Sequence, residues 1–514
     1  MKKSLLFLAA LLAGSGAYAQ HYEWSCAQIN NNQVFESADA AVAAGYQTLW
    51  GSNKWLGMPG KELINNDRIK ISLPFAYNYL STDDSKYPGY NKYGYKLVLG
   101  TDPKIVTKDA PFNFDNLTDY IESGLENSPV FAKIGDSDQG NAVMHAMLVA
   151  EVAPKAEGED EETAALTIRW SRGQNSGMLI VLDVTKQLEC LHTITRVHPD
   201  FKYINVSRIN IQQGHTYYIL GSDKNSTGIY SIEYDNCASD KFEVAASEEN
   251  STLFWDCNSL PNALMDKDAA IAAGYQTLWG SGDYLGMPGG NLAKDEEVTI
   301  SLPHAYNYIY KGNGKFSGYS KYAYKLFAAS PIQDVDGVID PANFLDGVEG
   351  NEYCLKGGDS DQGNPVMYTI LKIDVAPIEG DPVTGRIILN YSSGSQKRAI
   401  FVVDATKQLV VYRDANRCPS ANVKTQTAIF STVPGHTYYI FSNNKSASME
   451  FYAIGYCSPK SEKFDALNNS TTAIAAINSK PGFEKNVMYN ILGQRVNGNA
   501  KGIVIMNGKK MLVK

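Results

Sequence analysis

Residues 71–80 read ISLPFAYNYL, and residues 300–309 read ISLPHAYNYI. In the first of these, Ile71, Leu73, Phe75, Tyr77 and Tyr79 fall on one side of an extended chain, with Lys70, Ser72 and Asn78 on the other. A period of two is that of a half-buried β-strand, whose successive side chains point to opposite faces of a sheet. KYGYKLVL, residues 92–99, continues it with Tyr93, Tyr95, Leu97 and Leu99 on one side. GRIILNYSSGSQKRAIFVVD, residues 385–404, reads as two strands about a Ser-Gly-rich turn. GHTYYIFSNNKSASMEFYAIGYC, residues 435–457, reads as a closing hairpin. Helical signal is confined to ADAAVAAG after Ser37 and its counterpart after Asp268. With 32 Tyr against 18 Phe and 43 Gly, the composition suits pleated surfaces joined by tight turns. The expected class is all-β, of the sandwich kind.

The two copies of ISLP belong to a longer duplication. GYQTLWGSNKWLGMPG from Gly45 returns at Gly274 as GYQTLWGSGDYLGMPG, changed at three positions. GDSDQGN occurs at Gly135 and Gly358, VLDVTKQL at Val181 as VVDATKQL at Val402, and GHTYYI at Gly214 and Gly435. The order is the same in both halves. Repeats spanning 20–240 and 249–459 are each long enough for a self-sufficient β-domain and too long for a solenoid unit. Two tandem jelly-roll-like β-sandwich domains are therefore expected, followed by a linker at 460–485 and a small β tail at 486–514.

Residues 1–19 carry a basic start (MKK), an apolar run (SLLFLAALLAG) and a small-x-small site at Ala17-Tyr18-Ala19, and read as a secretory signal peptide. No later apolar run approaches the ~18 residues that span a bilayer. The net charge of −9, with no basic stripe in either repeat, sets nucleic-acid binding aside. Cys26 and Cys257 follow the first strand of each repeat, and Cys237 and Cys457 follow the last. In an exported protein this placement predicts Cys26–Cys237 and Cys257–Cys457 disulfides stapling the ends of each repeat. Cys190, Cys354 and Cys418 have no counterparts and no zinc or redox spacing.

The end of the chain, YNILGQRV (489–496), KGIVI (501–505) and NGKKMLVK (507–514), resembles the C-terminal sorting domains of the type IX secretion system of Bacteroidetes. That resemblance implies passage across the outer membrane by the export machinery and placement outside the cell or on its surface. The repeats more loosely resemble β-sandwich modules that accompany pectate lyases and glycoside hydrolases in the same bacteria. The likeness rests on the opening strands HYEWSC and STLFWDC, the Gly385–Arg398 element and the Gly214–Tyr234 hairpin.

Candidate ligand contacts are few. Trp55 and Tyr284 occupy one position of the duplicated segment, in a Gly- and Pro-rich stretch that reads as a surface loop, where a ring can stack on a sugar. Trp50 and Trp279 share the next duplicated aromatic position, as ligand contacts or core anchors. Two such sites on one chain would add avidity if both engaged one polymer. Asp136, Asp138, Asp359 and Asp361 have the D-x-D-x-G spacing with which alternate carboxylates converge on calcium, and equally the composition of a turn. His215 and His436, in GHTYY, read as turn residues rather than general bases. There is no H-E-x-x-H, G-x-S-x-G or phosphate loop. The expected function is glycan binding by two duplicated non-catalytic modules, with no obligatory cofactor. A polysaccharide lyase or hydrolase and a protein-binding adhesin are the alternatives.

Overall fold

A computed structural model of the chain describes residues 20–25, 47–49, 52–57, 61–73, 79–81, 96–98, 135–136, 141–142, 146–155, 163–172, 176–196, 204–222, 227–259, 276–277, 284–286, 290–302, 308–311, 324–327, 358–359, 364–365, 371–378, 384–392, 400–407, 409–414, 425–442, 450–468, 488–490, 495–496, 502–506 and 509–513, besides Ala43 and Ala272. The two short helical candidates lie outside these residues apart from those two alanines. Two compact units divide the chain, Met1–Phe464 and Asp465–Lys514.

The first unit is built from two antiparallel sheets. From one end, the larger runs Gln276–Thr277, Tyr284–Gly286, Tyr308–Lys311, Tyr324–Phe327, Glu450–Cys457, Gly385–Ser392, Gln426–Thr432, and then Asn205–Gln212, Thr163–Arg172, Thr227–Asn236, Lys96–Val98, Tyr79–Ser81, Ser52–Gly57 and Gln47–Leu49. The smaller runs Gly290–Lys294, Val298–Leu302, Leu371–Val375, Thr437–Ser442, Ile400–Asp404, Leu409–Asp414, and then Leu188–Arg196, Ser176–Asp183, Thr216–Ser222, Ala146–Val152, Ile69–Leu73 and Lys61–Asn65. Each list is a palindrome of equivalent strands. The chain is therefore an all-β sandwich in which both sheets pass from one repeat into the other. One apolar core holds the inner faces together, with Ile71, Leu148 and Val181 from the first repeat and Ile300, Ile373 and Val402 from the second. Each such side chain removed from water contributes roughly 1.5–3 kcal/mol.

The repeats meet at equivalent residues. Gly435 and Gly214 differ by 221 positions (435 − 214). In the larger sheet the two repeats pair at Arg208 and Ile429, and in the smaller at Leu191 and Tyr412; both pairs have that same offset of 221. An antiparallel pair that matches a residue with its own equivalent has a local twofold axis perpendicular to the sheet.

Several strand assignments require correction. The ISLPFAYNYL stretch is not one strand: Ile69–Leu73 belongs to the smaller sheet and Tyr79–Ser81 to the larger. Pro74, which has no N–H to give a ladder, follows the first of them. Gly385–Ser392 and Ile400–Asp404 likewise lie in different sheets. The expected closing hairpin is also a crossing, from Thr437–Ser442 in the smaller sheet to Glu450–Cys457 in the larger.

The expected Cys257–Cys457 disulfide is overturned, since the two thiols are not bonded to each other. The first and last strands of the repeat do pair, but antiparallel, with Leu253 opposite Tyr456 and Asp256 opposite Ala453. Each cysteine follows the C-terminal end of its strand, so the two lie at opposite ends of the ladder. Four to five residues of strand separate them, roughly 15 Å, against the ~7 Å limit between bridged Cα atoms. Cys26 lies outside the described residues; Ser25, just before it, pairs with Ser231, six positions from Cys237. Alkylation of the denatured, unreduced protein should label Cys257 and Cys457, and peptide mapping should find no cross-link between them.

After its last strand, each repeat closes on a turn that composition does not announce. Ser239 to Phe242 and Ser461 to Phe464 share the pattern S-x-K-F. In both, the Phe N–H donates to the Ser carbonyl and the Lys N–H to the Ser hydroxyl. The Phe carbonyl then accepts from a buried guanidinium, Arg208 in one repeat and Arg386 in the other, and the cation lies over the Phe ring. The connecting segment is fastened to the second repeat through Asn390, which accepts from the Ala246 N–H at 2.6 Å and donates to the Val244 carbonyl.

The second unit carries a four-stranded antiparallel sheet, in keeping with the small β tail expected at 486–514. It runs Arg495–Val496, Met488–Asn490, Gly502–Met506, Lys509–Val513.

Candidate functional site: sheet ends and the seam between repeats

The duplicated motifs divide into those that build the fold and those at its extremities. GHTYY belongs to the first kind. Gly214 and Gly435 have φ of +77° and +81°, which glycine adopts without the Cβ clash other residues meet. His215 Nδ1 lies 2.7 Å from Asp183 Oδ2 and His436 Nδ1 lies 2.6 Å from Asp404 Oδ2. The other oxygen of each aspartate accepts the N–H groups of Thr185 and Lys186, or of Thr406 and Lys407. The hydroxyls of Tyr217 and Tyr438 accept the backbone N–H of Gln212 and Val433. VLDVTKQL and GHTYY are thus the two halves of one clamp, made twice, with the histidines ordering a turn.

GDSDQGN forms a short hairpin in both repeats. Asp136 pairs with Asn141, and Asp359 with Asn364. Asp138 and Asp361 lie outside the described residues.

Trp55 and Tyr284 are on strands, not on the expected surface loop. Trp55 lies in Ser52–Gly57 and Tyr284 in Tyr284–Gly286, where it pairs with Tyr310. Ser52–Gly57 pairs with Gln47–Leu49 across a register shift between Thr48 and Leu49, so the stretch is an irregular strand rather than a break. Each strand is next to the outermost of the larger sheet, at opposite ends. Trp50 and Trp279 lie outside the described residues.

Between these ends the seam holds a buried polar network that sequence reading missed. Asp414 Oδ2 accepts from the Tyr391 hydroxyl, from Asn210 Nδ2 at 3.1 Å and from Gln426 Nε2 at 3.2 Å. Asn210 Nδ2 also lies 2.8 Å from the Tyr391 hydroxyl, which is 3.0 Å from that of Tyr412. Burial, reinforced by the Asp414 charge, pushes both phenols well above their usual pKa, so they remain protonated donors. Asn210 comes from the first repeat and the other four from the second. The twofold operation maps Asn210 onto Ser431 and Asp414 onto Thr193, and these also touch: the Ser431 N–H donates to Thr193 Oγ1 at 2.9 Å. Both contacts tie one sheet to the other across the seam. Nearby Cys190 is a free buried thiol whose pKa burial pushes well up, which makes it unreactive.

A second buried charge cluster belongs to the first repeat alone. Arg169 Nη1 donates to Glu233, which is directly opposite Glu23 on the neighbouring strand. Burial and the Glu233 charge raise the Glu23 pKa, with Arg169 acting against them. In the second repeat the same places hold Asn390, Gly455 and Phe254.

These features define an all-β sandwich with duplicated ends and a locked centre. No protein-family model and no curated protein sequence matches the chain. Among solved structures it is similar to an isomalto-dextranase of Arthrobacter globiformis T6 complexed with panose, at 7% identity and a TM-score of 0.16, over 60% of this chain and 34% of that one. It is also similar to vicilin from Corylus avellana (hazelnut), at 7% identity and a TM-score of 0.10, over 77% and 82% of the two chains. A third is a Paenibacillus cycloisomaltooligosaccharide glucanotransferase complexed with cycloisomaltoheptaose, at 10% identity and a TM-score of 0.14, over 61% and 40%. The chain spans about a third of the length of the first of these. Likeness this slight carries no argument about function. Among the described residues no helix is long and apolar enough to cross a membrane.

Proposed function

We propose that this chain is an exported glycan-binding protein of the cell surface or surroundings, with one binding region at each end of its larger sheet and no turnover of its own. The observation that supports this reading is a contrast between duplicated motifs. VLDVTKQL, GHTYY and S-x-K-F are engaged in hydrogen bonds internal to the fold. GYQTLWGS, the longest duplicated stretch, instead leads into the strands of Trp55 and Tyr284 at the two ends of the larger sheet, and an aromatic ring is the side chain that stacks on a sugar. Delivery would use the leader at 1–19 and the tail at 486–514, the latter through the type IX export machinery. Calcium at Asp136, Asp138, Asp359 and Asp361 would order the hairpins rather than act on a substrate.

The test is a retention screen of the secreted protein on plant, microbial and mucin polysaccharides, with and without calcium, assaying the same samples for released sugars. Retention is expected, with a loss of roughly tenfold in the Trp55→Ala/Tyr284→Ala double variant, as a stacking aromatic contributes about 0.5–1.5 kcal/mol. Released oligosaccharides would instead make the protein an enzyme. Absence of retention on every polymer would favour an adhesin that binds protein.

A further inference from the structure

The twofold axis determines how two end sites can engage a polymer. It passes between Arg208 and Ile429 in one sheet and between Leu191 and Tyr412 in the other, perpendicular to both. The strands of Trp55 and Tyr284 are eleven strand spacings apart in the larger sheet, roughly 50 Å measured along it. A rotation of 180° about that axis reverses every direction lying in the sheet. A polysaccharide has a reducing and a non-reducing end, so a site that reads one polarity is matched at the far end by a site that reads the opposite one. A single chain running from end to end presents the same polarity to both and satisfies only one.

Nor can the ends fold toward each other. Tandem domains on a flexible linker would adjust their orientation, but here the repeats share both sheets. The seam is further fastened by Asn210 to Asp414 and by Thr193 to Ser431, all buried. Where geometry forbids simultaneous engagement, a second site adds no avidity.

Building on the glycan-binding reading above, we propose that the protein is a cross-bridge: each end of the larger sheet takes a separate glycan chain, and the two chains are held in opposite polarity. Its product is a link between polymers, or between a polymer and a glycan-coated surface, rather than tighter grip on one chain.

The test uses the full secreted protein with three probes, polygalacturonate, dextran and gastric mucin, each as soluble polymer and coupled to latex beads. On a probe that binds, the unaltered protein should clump the beads maximally at an intermediate ratio and disperse them again in excess, as each bead becomes saturated. Trp55→Ala and Tyr284→Ala, made singly, should each abolish clumping and lower the number of polymer sites per protein from two to one, read by titration with soluble polymer. Because a strand substitution can itself disturb the sheet, the clumping curve of the unaltered protein stands as an arm that needs no variant. Binding without clumping, or a loss of 100-fold or more in polymer affinity from one substitution, would overturn the cross-bridge and leave glycan binding standing. Failure to bind any of the three probes would remove the glycan reading and the cross-bridge together.

Discussion

Asp414→Ala is expected to destabilise the sandwich unit by about 3–5 kcal/mol, because it removes the charged acceptor on which three buried donors converge. Asn210, Gln426 and the protonated Tyr391 all direct a hydrogen bond at the same carboxylate oxygen. Each buried donor left without an acceptor costs about 1–3 kcal/mol, and the space vacated by the carboxyl adds a cavity. The loss is a large share of the 5–15 kcal/mol by which domains are ordinarily stable. Asp414→Thr, which installs the residue found at the equivalent place across the axis, should fail almost as badly, since the threonine works there against a serine and not against two tyrosines. Urea unfolding followed by tryptophan fluorescence measures the effect. A loss below 1 kcal/mol would mean that the network does not hold the seam.

Arg169→Met should cost a similar amount at neutral pH, about 3–5 kcal/mol, by leaving Glu233 buried without its cation. This second effect has a pH signature that a packing defect lacks. Glu23 titrates above its ordinary value in the folded protein, mainly through burial and then through the facing Glu233. A carboxyl whose folded pKa is raised binds its proton more tightly folded than unfolded, so its contribution to stability improves as pH falls through that raised value. Removing Arg169 takes away the charge that opposes the rise. The deficit of the variant relative to the unaltered protein should therefore shrink between pH 7.5 and pH 5. Denaturation curves at the two pH values decide it; a deficit constant across that range would point to lost packing alone.

The fold class and the duplication were legible because both are written in residue pattern. Period-two alternation in IKISL and the repeated motif order need no tertiary information. What stayed hidden depends on which strands are neighbours. Alternation looks the same whether the next strand returns in one sheet or crosses to the other, so two crossings read as hairpins. The cysteines show the same limit. The first and last strands of a repeat do lie side by side, but the pairing is antiparallel, which separates the residues that end both strands. Asn210 and Asp414 are 204 positions apart and neither belongs to a duplicated motif, so no spacing rule joins them. The clamp of His215 on Asp183 was within reach, since both members recur together in the second repeat. The position of Trp55 was misjudged because Gly and Pro around it outweighed the strand it occupies.

The seam has a symmetric backbone and unlike side chains. Arg208 faces Ile429, Leu191 faces Tyr412, and Asn210 with Asp414 is answered by Ser431 with Thr193. The halves have thereby become non-interchangeable parts. A recombination event that overwrote residues 409–414 with their first-half counterparts would remove Tyr412 and Asp414 together and leave Asn210 facing leucine and threonine. Duplicated genes tend to homogenise by such exchange, and here the centre of the molecule penalises it. GYQTLWGS, which supplies the strands farthest from the axis in the larger sheet, is by contrast identical in both halves.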